Sequence, residues 1–208
     1  AQFELFDYKY SKCKGIRSYN PLPKINSSSI DDAVKLINKA KKPFIVWGQG
    51  VILGNAEDEF KSFVEKSGIP AAWTILGVSA LPTSHELNVG MVGMHGNYGP
   101  NLMTNECDLL VAIGMRFDDR VTGDPKTYAN QAKIIHLDID PAEINKNIKV
   151  EVPIIGDCKE SLKLITEKIE KRSHEKWISK FDDLMKIEFD KVINSDLNPS
   201  KKGLTMGE

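Results

Sequence analysis

Residues 107–123 read CDLLVAIGMRFDDRVTG, and this stretch decides the fold. Leu109-Leu110-Val111-Ala112-Ile113 is a short, unbroken apolar run, the pattern of a strand buried on both faces. Gly114 closes it, and Arg116, Asp118, Asp119 and Arg120 then fall within five positions. A buried parallel strand that ends in glycine and a burst of charge is where an open α/β sheet holds its ligand. Just upstream, Val92-Gly93-Met94-His95-Gly96 leads into it.

Working outward, Pro43-Phe44-Ile45-Val46-Trp47 reads as the first strand of the core, followed by the turn Gly48-Gln49-Gly50 and an amphipathic helix from Ala56 to Lys66 that ends at Gly68. Glycines at 48 and 50 suit either a tight turn or close approach of a phosphate to the backbone. Leu53 stands where the third glycine of a full dinucleotide fingerprint belongs, so the pattern by itself leaves both readings open. Ile69–Thr74 is a second strand with Thr74-Ile75-Leu76-Gly77 as its loop, and 78–96 reads as a long irregular segment. Loops of that length tend to be functional. A short helix over 97–106 precedes the 109–113 strand. Lys133–Asp140 and Val150–Ile155 are further strands, with a short helix at 142–146 and a longer one at 158–170.

Ahead of the first strand, Ser28 or Ser29 caps a helix with Asp31 and Asp32 in its first turn. Residues 1–27 lack helical periodicity, and Tyr19-Asn20-Pro21-Leu22-Pro23 fixes an extended linker on the surface. Arg17, within it, reads by itself as a solvated arginine. At the other end, Trp177, Ile178, Phe181, Leu184, Met185 and Val192 form an apolar stripe that packs on this domain or on a neighbour. Strands alternating with helices predict a doubly wound, Rossmann-like parallel α/β sheet of five or six strands. The expected organisation is a linker over 1–27, an α/β domain over 28–172, and a C-terminal helix and linker over 173–208.

Composition excludes several classes. Lys+Arg 28 against Asp+Glu 29 leaves a net charge of −1, which predicts no nucleic-acid partner. No apolar run approaches the roughly 20 residues of a membrane helix. Cys13, Cys107 and Cys158 are widely spaced, so zinc ligation is not expected and free thiols in a reducing cytoplasm are. No GxSxG, Walker lysine motif or HExxH occurs. Gly156-Asp157 is not followed by the glycine and later Asn-Asn pair that a self-contained thiamine diphosphate–magnesium site requires. The strand-end loops 48–50, 74–76, 114–120 and 138–143 carry ligand-type residues. Arginine forks suit phosphates, and a carboxylate such as Asp138 at a strand end suits ribose. A nucleotide-type cofactor is the leading expectation. His95 reads as a loop histidine lining a ligand, because no neighbouring acid orients it as a base. His136, inside an apolar strand, reads as structural.

GMHGNYGPNLMTNECDLLVAIGMRFDDRVTG, followed by AKIIHLDIDPAEINKN and VPIIGD, strongly resembles the central domain of the acetolactate synthase (acetohydroxyacid synthase) large catalytic subunit, a thiamine diphosphate-dependent carboligase. The likeness runs from about Ser18 to Asp157 and continues more loosely to both ends. The resemblance implies an FAD-binding domain whose flavin does no net redox chemistry. Thiamine diphosphate and Mg²⁺ would lie between flanking pyrimidine-binding and diphosphate-binding domains, towards which Ala1–Glu4 and Met206–Glu208 would lead. Two pyruvates, or pyruvate and 2-oxobutyrate, would be joined on the route to branched-chain amino acids. The family's catalytic glutamate belongs to the first domain, so this piece alone is expected to be inactive. A cytoplasmic homo-oligomer with a small regulatory subunit is implied for the whole enzyme.

Residue by residue, the resemblance implies flavin contacts at Gly48, Gln49 and Gly50, and at Thr74, Ile75 and Leu76. Gly93, Met94 and His95 follow, then Gly114, Met115, Arg116, Asp118, Arg120 and Val121. Asp138, Ile139, Glu143, Asp157 and Cys158 complete the adenosine side, and Arg17 matches a family FAD arginine. Met94, Asp119 and Arg120 also match positions at the substrate channel. Gln49 and Cys158 depart from the smaller residues of many members. Two alternatives stand beside this reading: a vestigial dinucleotide or interaction module that has lost its ligand, and the central domain of another thiamine carboligase such as glyoxylate carboligase.

Overall fold

The structure, a computed structural model, describes residues 5, 7–12 and 22–198. Within them the chain runs α1 (Ser27–Lys39), β1 (Pro43–Trp47), α2 (Gly50–Leu53), α3 (Glu57–Ser67), β2 (Ala71–Trp73), β3 (Asn88–Met91) and α4 (Tyr98–Thr104). There follow β4 (Leu109–Ile113), α5 (Asp119–Thr122), β5 (Lys133–Asp138), β6 (Val152–Ile155), α6 (Cys158–Lys168), α7 (Glu175–Glu188) and α8 (Asn194–Leu197). The six strands make one sheet in the order β3-β2-β1-β4-β5-β6, and every adjacent pair is parallel. The chain therefore winds outward from β1 to β3, returns to β4 beside β1, and winds outward again.

Because successive strand residues face opposite sides, the apolar runs feed two cores. Ile45 and Trp47 of β1 with Leu109, Val111 and Ile113 of β4 meet α1, α3 and α6 through Ile30, Ile37, Phe60, Phe63, Leu162 and Ile165. Phe44, Val46, Leu110 and Ala112 face the other side, against Met103 of α4 and Trp177 and Phe181 of α7. Phe44 and Phe181 rings lie 5.2 Å apart, and Trp177 Nε1 donates to the Pro43 carbonyl at 2.8 Å. Of the 175–193 stripe, Trp177, Ile178, Phe181 and Leu184 pack on this domain, so a helix placed outside 28–172 completes that body's second core, while Met185 and Val192 stay exposed. Past Glu188 the helix widens into a π turn over Phe189–Ile193.

Several local expectations are corrected. The first helix is capped by Asn26, whose side chain accepts from Ser28 N at 3.0 Å, and it starts at Ser27 rather than after Ser28 or Ser29. Asparagine caps as well as serine does, and it comes first along the chain. Asp31 and Asp32 consequently sit beyond the first turn. The 78–96 segment is not wholly irregular: Asn88–Met91 is the edge strand β3. Only two apolar positions, Val89 and Met91, mark it on either side of Gly90, too few for a periodicity to show. The helix read at 142–146 is a single 3-10 turn over Pro141–Glu143, ended by Ile144 in extended geometry. Residues 5 and 7–12 are exposed, whereas Ile25 of the linker packs against the first core. Arg17 and the two chain ends, residues 1–4 and 199–208, lie outside the described residues.

Candidate functional site

The site is assembled by glycines that let two strand ends touch. Gly48 N donates to the Ile113 carbonyl at 3.0 Å, Gly50 N to the Gly114 carbonyl at 2.9 Å, and Gly114 N to the Leu137 carbonyl at 2.8 Å. A Cβ on Gly50 would lie 2.5 Å from the Gly114 Cα, and one on Gly48 2.6 Å from the Gly114 carbonyl oxygen. Gly114 itself has φ +56. The turn after β1 is thus locked against the turn after β4, and no side chain fits between them. Of the two readings open for Gly48 and Gly50, this contact by itself accounts for both glycines.

Where β1 and β4 part, their loops leave in opposite directions and a crevice opens at the carboxyl ends of the strands. A cleft of about 400 Å³ fills it, lined by Gln49, Gly50, Gly114, Arg116, Asp138, Ile139, Asp157 and Cys158 together with Leu22, Leu53, Gly54, Leu137 and Gly156. Eight residues expected at a cofactor site therefore meet in one place, although they come from four separate strand ends.

Of the remaining expected residues, those at 74–76, 93–95 and 118–121 lie in segments outside the lining of the cleft. Trp47 Nε1 donates to the Gly77 carbonyl at 2.8 Å and ties the Thr74-Ile75-Leu76 turn to β1. Ile75 and Leu76 stay exposed. Met94 N donates to the Arg120 carbonyl at 2.8 Å, which joins the Gly93-Met94-His95 loop to the Asp118–Val121 segment. Asp119, Arg120 and His95 are exposed there, and Met94 is 66 % exposed. Gly48 is closed over by the Gly114–Met115 backbone, and the Met115 side chain is buried in the second core.

Charges are placed unevenly. Arg116 pairs with Asp118 at 3.7 Å on an open edge, while Asp118 Oδ1 is buried without a partner among the described residues. Asp138 is nearly enclosed. Its Oδ1 accepts from Asp140 N at 2.9 Å, and burial raises its carboxyl above the usual aspartate range, opposed by that bond and by His136. His136 is wholly buried on β5, its ring packed edge-on against Phe117 at 4.9 Å. Burial holds its pKa below the ordinary 6.5 despite Asp138 and Glu143 nearby. The neutral ring then donates from Nε2 to the Met115 carbonyl at 2.9 Å, and Asp138 Oδ2 lies 3.7 Å from the same nitrogen. Nδ1 has no partner among the described residues, so the structural histidine is satisfied on one side only. Glu143 is occupied by Lys146 at 2.7 Å. Asp157 caps α6, accepting from Glu160 N at 3.0 Å, and burial pushes the Cys158 thiol up to about 12, which leaves it an unreactive apolar wall.

Leu22, Leu53, Gly54, Leu137 and Gly156 were not expected at the cleft. Gly156 had a discoverable signal, a glycine directly after an apolar strand. Leu22 and Leu53 had none, since an exposed leucine in a linker or a short helix carries no pattern. Among the described residues no helix is long and apolar enough to cross a membrane, and no group of His, Cys, Asp and Glu is arranged to hold a metal ion.

Strand order and crevice define a doubly wound α/β domain with a ligand-type cleft at its switch point. Residues 30–165 match the model of the thiamine pyrophosphate enzyme central domain, and the chain belongs to that family. It is 50% identical over 149 residues to the acetolactate synthase large subunit of Corynebacterium glutamicum, covering 72% of this chain and 24% of that protein. The probable acetolactate synthase large subunit of Methanococcus aeolicus is 47% identical over 160 residues, 77% of this chain and 26% of the relative. The acetolactate synthase large subunit of Buchnera aphidicola subsp. Schizaphis graminum is 37% identical over 203 residues, 94% of this chain and 35% of the relative. The matched part of the chain thus spans 24% to 35% of the length of these relatives.

Proposed function

We propose that the chain binds FAD across the carboxyl ends of its strands and forms the central domain of an acetolactate synthase large subunit. The observation that carries this reading is the cleft itself. It combines bare backbone at Gly50 and Gly114 with a guanidinium at Arg116, a nearly enclosed carboxylate at Asp138, and apolar walls at Leu22, Leu53 and Ile139. Those are the groups a diphosphate, a ribose and an adenine ring call for. The residues present fit the adenosine half of the cofactor, and a rim at 74–76, 93–95 and 118–121 is left for the flavin end. The identity to named acetolactate synthases makes FAD, rather than a nicotinamide dinucleotide, the preferred ligand.

In this role Arg116 faces diphosphate oxygens and Asp138 accepts from ribose hydroxyls. Gln49 and Cys158 line the diphosphate and adenine side. Met94, Asp119 and Arg120 stand on the exposed rim, where a substrate channel shared with neighbouring domains would pass. The flavin, when bound, adds no net redox step to a carboligation. Its protein contacts orient it and order the rim. Thiamine diphosphate and Mg²⁺ belong to flanking pyrimidine-binding and diphosphate-binding domains of the parent enzyme, which joins two pyruvates, or pyruvate and 2-oxobutyrate. The body at 28–172, joined by 173–208, serves as its middle unit in a cytoplasmic homo-oligomer with a small regulatory subunit. The free, buried thiols of Cys107 and Cys158 accord with that compartment.

The test is a titration of the purified chain with FAD, followed by flavin fluorescence, with ADP and NAD as comparison ligands. Saturable binding selective for FAD is expected, with weaker binding of ADP through the adenosine cleft. A folded chain that leaves FAD free at high micromolar concentration would overturn the reading.

A further inference from the structure

The turn that joins β3 to α4 is held by two asparagines in a way that helix capping does not explain. Asn97 is the N-cap of α4, yet its side chain makes no capping hydrogen bond. Instead Met91 N donates to Asn97 Oδ1 at 2.9 Å, while Asn97 N donates to the Met91 carbonyl at 2.8 Å. One helical turn further on, Asn101 meets Gly93 from both sides. Gly93 N donates to Asn101 Oδ1 at 2.8 Å, and Asn101 Nδ2 donates to the Gly93 carbonyl at 2.9 Å.

A primary amide that takes both the N–H and the C=O of one residue does what a neighbouring strand would do. The turn is closed by Gly96 N donating to the Gly93 carbonyl at 2.9 Å, and its far side by Met94 N on the Arg120 carbonyl. There is no slack. Gly93 has φ +104, and a Cβ there would lie 2.6 Å from the Arg120 carbonyl oxygen. Asn97 is in turn tied to α7, its Nδ2 lying 3.4 Å from each Glu188 carboxylate oxygen. The backbone of 91–94 is therefore gripped while the Met94 and His95 side chains are left free at the tip.

We propose that Asn97 and Asn101 are positioning residues that hold the Met94–His95 tip against Arg120 and so set the geometry of the flavin end of the site. The consequence for the flavin rests on the FAD reading above, whereas the grip on the turn does not. Two measurements on the chain separate them: amide hydrogen exchange at Gly93 and Met94, and affinity with visible circular dichroism of bound FAD. In Asn101→Ala those two amides are expected to exchange about tenfold faster or more, while amides of β1 and β4 keep their rates. FAD affinity is expected to fall about fivefold to thirtyfold, with an altered dichroism band. Asn101→Asp keeps the acceptor for Gly93 N and loses the donor to the Gly93 carbonyl, so it is expected to loosen 93–94 and weaken FAD to a smaller extent than Asn101→Ala, without matching the parent.

Asn38→Ala removes a comparable bond, from Glu170 N at 3.1 Å, at the opposite end of the sheet, and is expected to leave both readouts as in the parent. Unchanged exchange at Gly93 and Met94 in Asn101→Ala would overturn the proposal. Should that variant unfold as a whole, Asn101→Asp decides: a flavin signature and exchange pattern identical to the parent overturn it, and selective loosening of 93–94 supports it. If the parent chain takes up no FAD, the flavin reading fails, and the exchange result alone supports or overturns the grip.

Discussion

At the scale of single residues, enclosure decides how the charged groups behave. Asp138 is buried and Arg116 open, so the two should contribute to ligand binding in different ways. Arg116→Ala is expected to weaken FAD by about tenfold, with an effect that shrinks as salt is added, because an exposed guanidinium is screened. Asp138→Asn keeps the shape of the side chain and is expected to cost about tenfold with little salt dependence. Titration at two ionic strengths checks both. His136 carries a second prediction. Its folded-state pKa is depressed by burial below the unfolded 6.5, so the unfolded chain binds the extra proton first as pH falls. The stability it contributes is complete above about pH 6.5 and is lost on acidification through that value towards the lower folded pKa. Asp138, with its carboxyl raised, works in the opposite sense nearer its ordinary 3.8, and His174, also lowered by burial, works in the same sense as His136. Urea midpoints at pH 7.5 and 5.5 should therefore drop less in His136→Gln than in the parent. Glutamine offers an amide donor towards the Met115 carbonyl and does not titrate.

At the scale of elements, the interlocked turns and α7 carry most of the risk. Gly50→Ala places a methyl 2.5 Å from the Gly114 Cα, a contact that only a backbone shift relieves. We expect a loss of about 2–4 kcal/mol, read as a fall in the urea midpoint, together with weaker FAD binding because the two turns define the cleft floor. Helix α7 provides a contrast within one element. Phe181 is 1 % exposed against Phe44 and Trp177, whereas Met185 one turn on is 44 % exposed. Phe181→Ala is expected to cost about 3–5 kcal/mol and Met185→Ala less than about 1 kcal/mol. Equal effects would mean that α7 is a loosely attached appendage. The stripe periodicity could not separate these two positions, since both satisfy it.

At the scale of the whole molecule, a ligand bound only by the folded state stabilises it by mass action. FAD at about one hundred times its dissociation constant should add about 2.7 kcal/mol, visible as a higher melting temperature, with ADP giving a smaller rise at the same concentration. The chain by itself is expected to convert no pyruvate, because the resemblance assigns the catalytic glutamate and the thiamine diphosphate site to flanking domains. A product assay with FAD, thiamine diphosphate and Mg²⁺ added checks this.

The α/β class, the two-sided burial of β4 and the strand-end loops were legible without a structure, because burial on both faces demands unbroken apolar runs and turns demand glycine. Arg116 and Asp138 could be named for the same reason: each stands at the end of such a run, Arg116 three residues past β4 and Asp138 as the last residue of β5. Edge strand β3, interrupted by Gly90 and only four residues long, left no such trace. Nor did the partner of each loop, since Gly48 and Gly114 are separated by most of the first half of the fold and meet only when β4 returns beside β1. The chain by itself determined which residues are chemically equipped for a nucleotide, a matter of side-chain type and local pattern. Only the tertiary structure decided which of them share a cleft, that Asp157 is spent on a helix cap, and that Asn97 and Asn101 hold the Met94 turn. Those outcomes depend on distances between segments far apart in the chain, and no local periodicity encodes them.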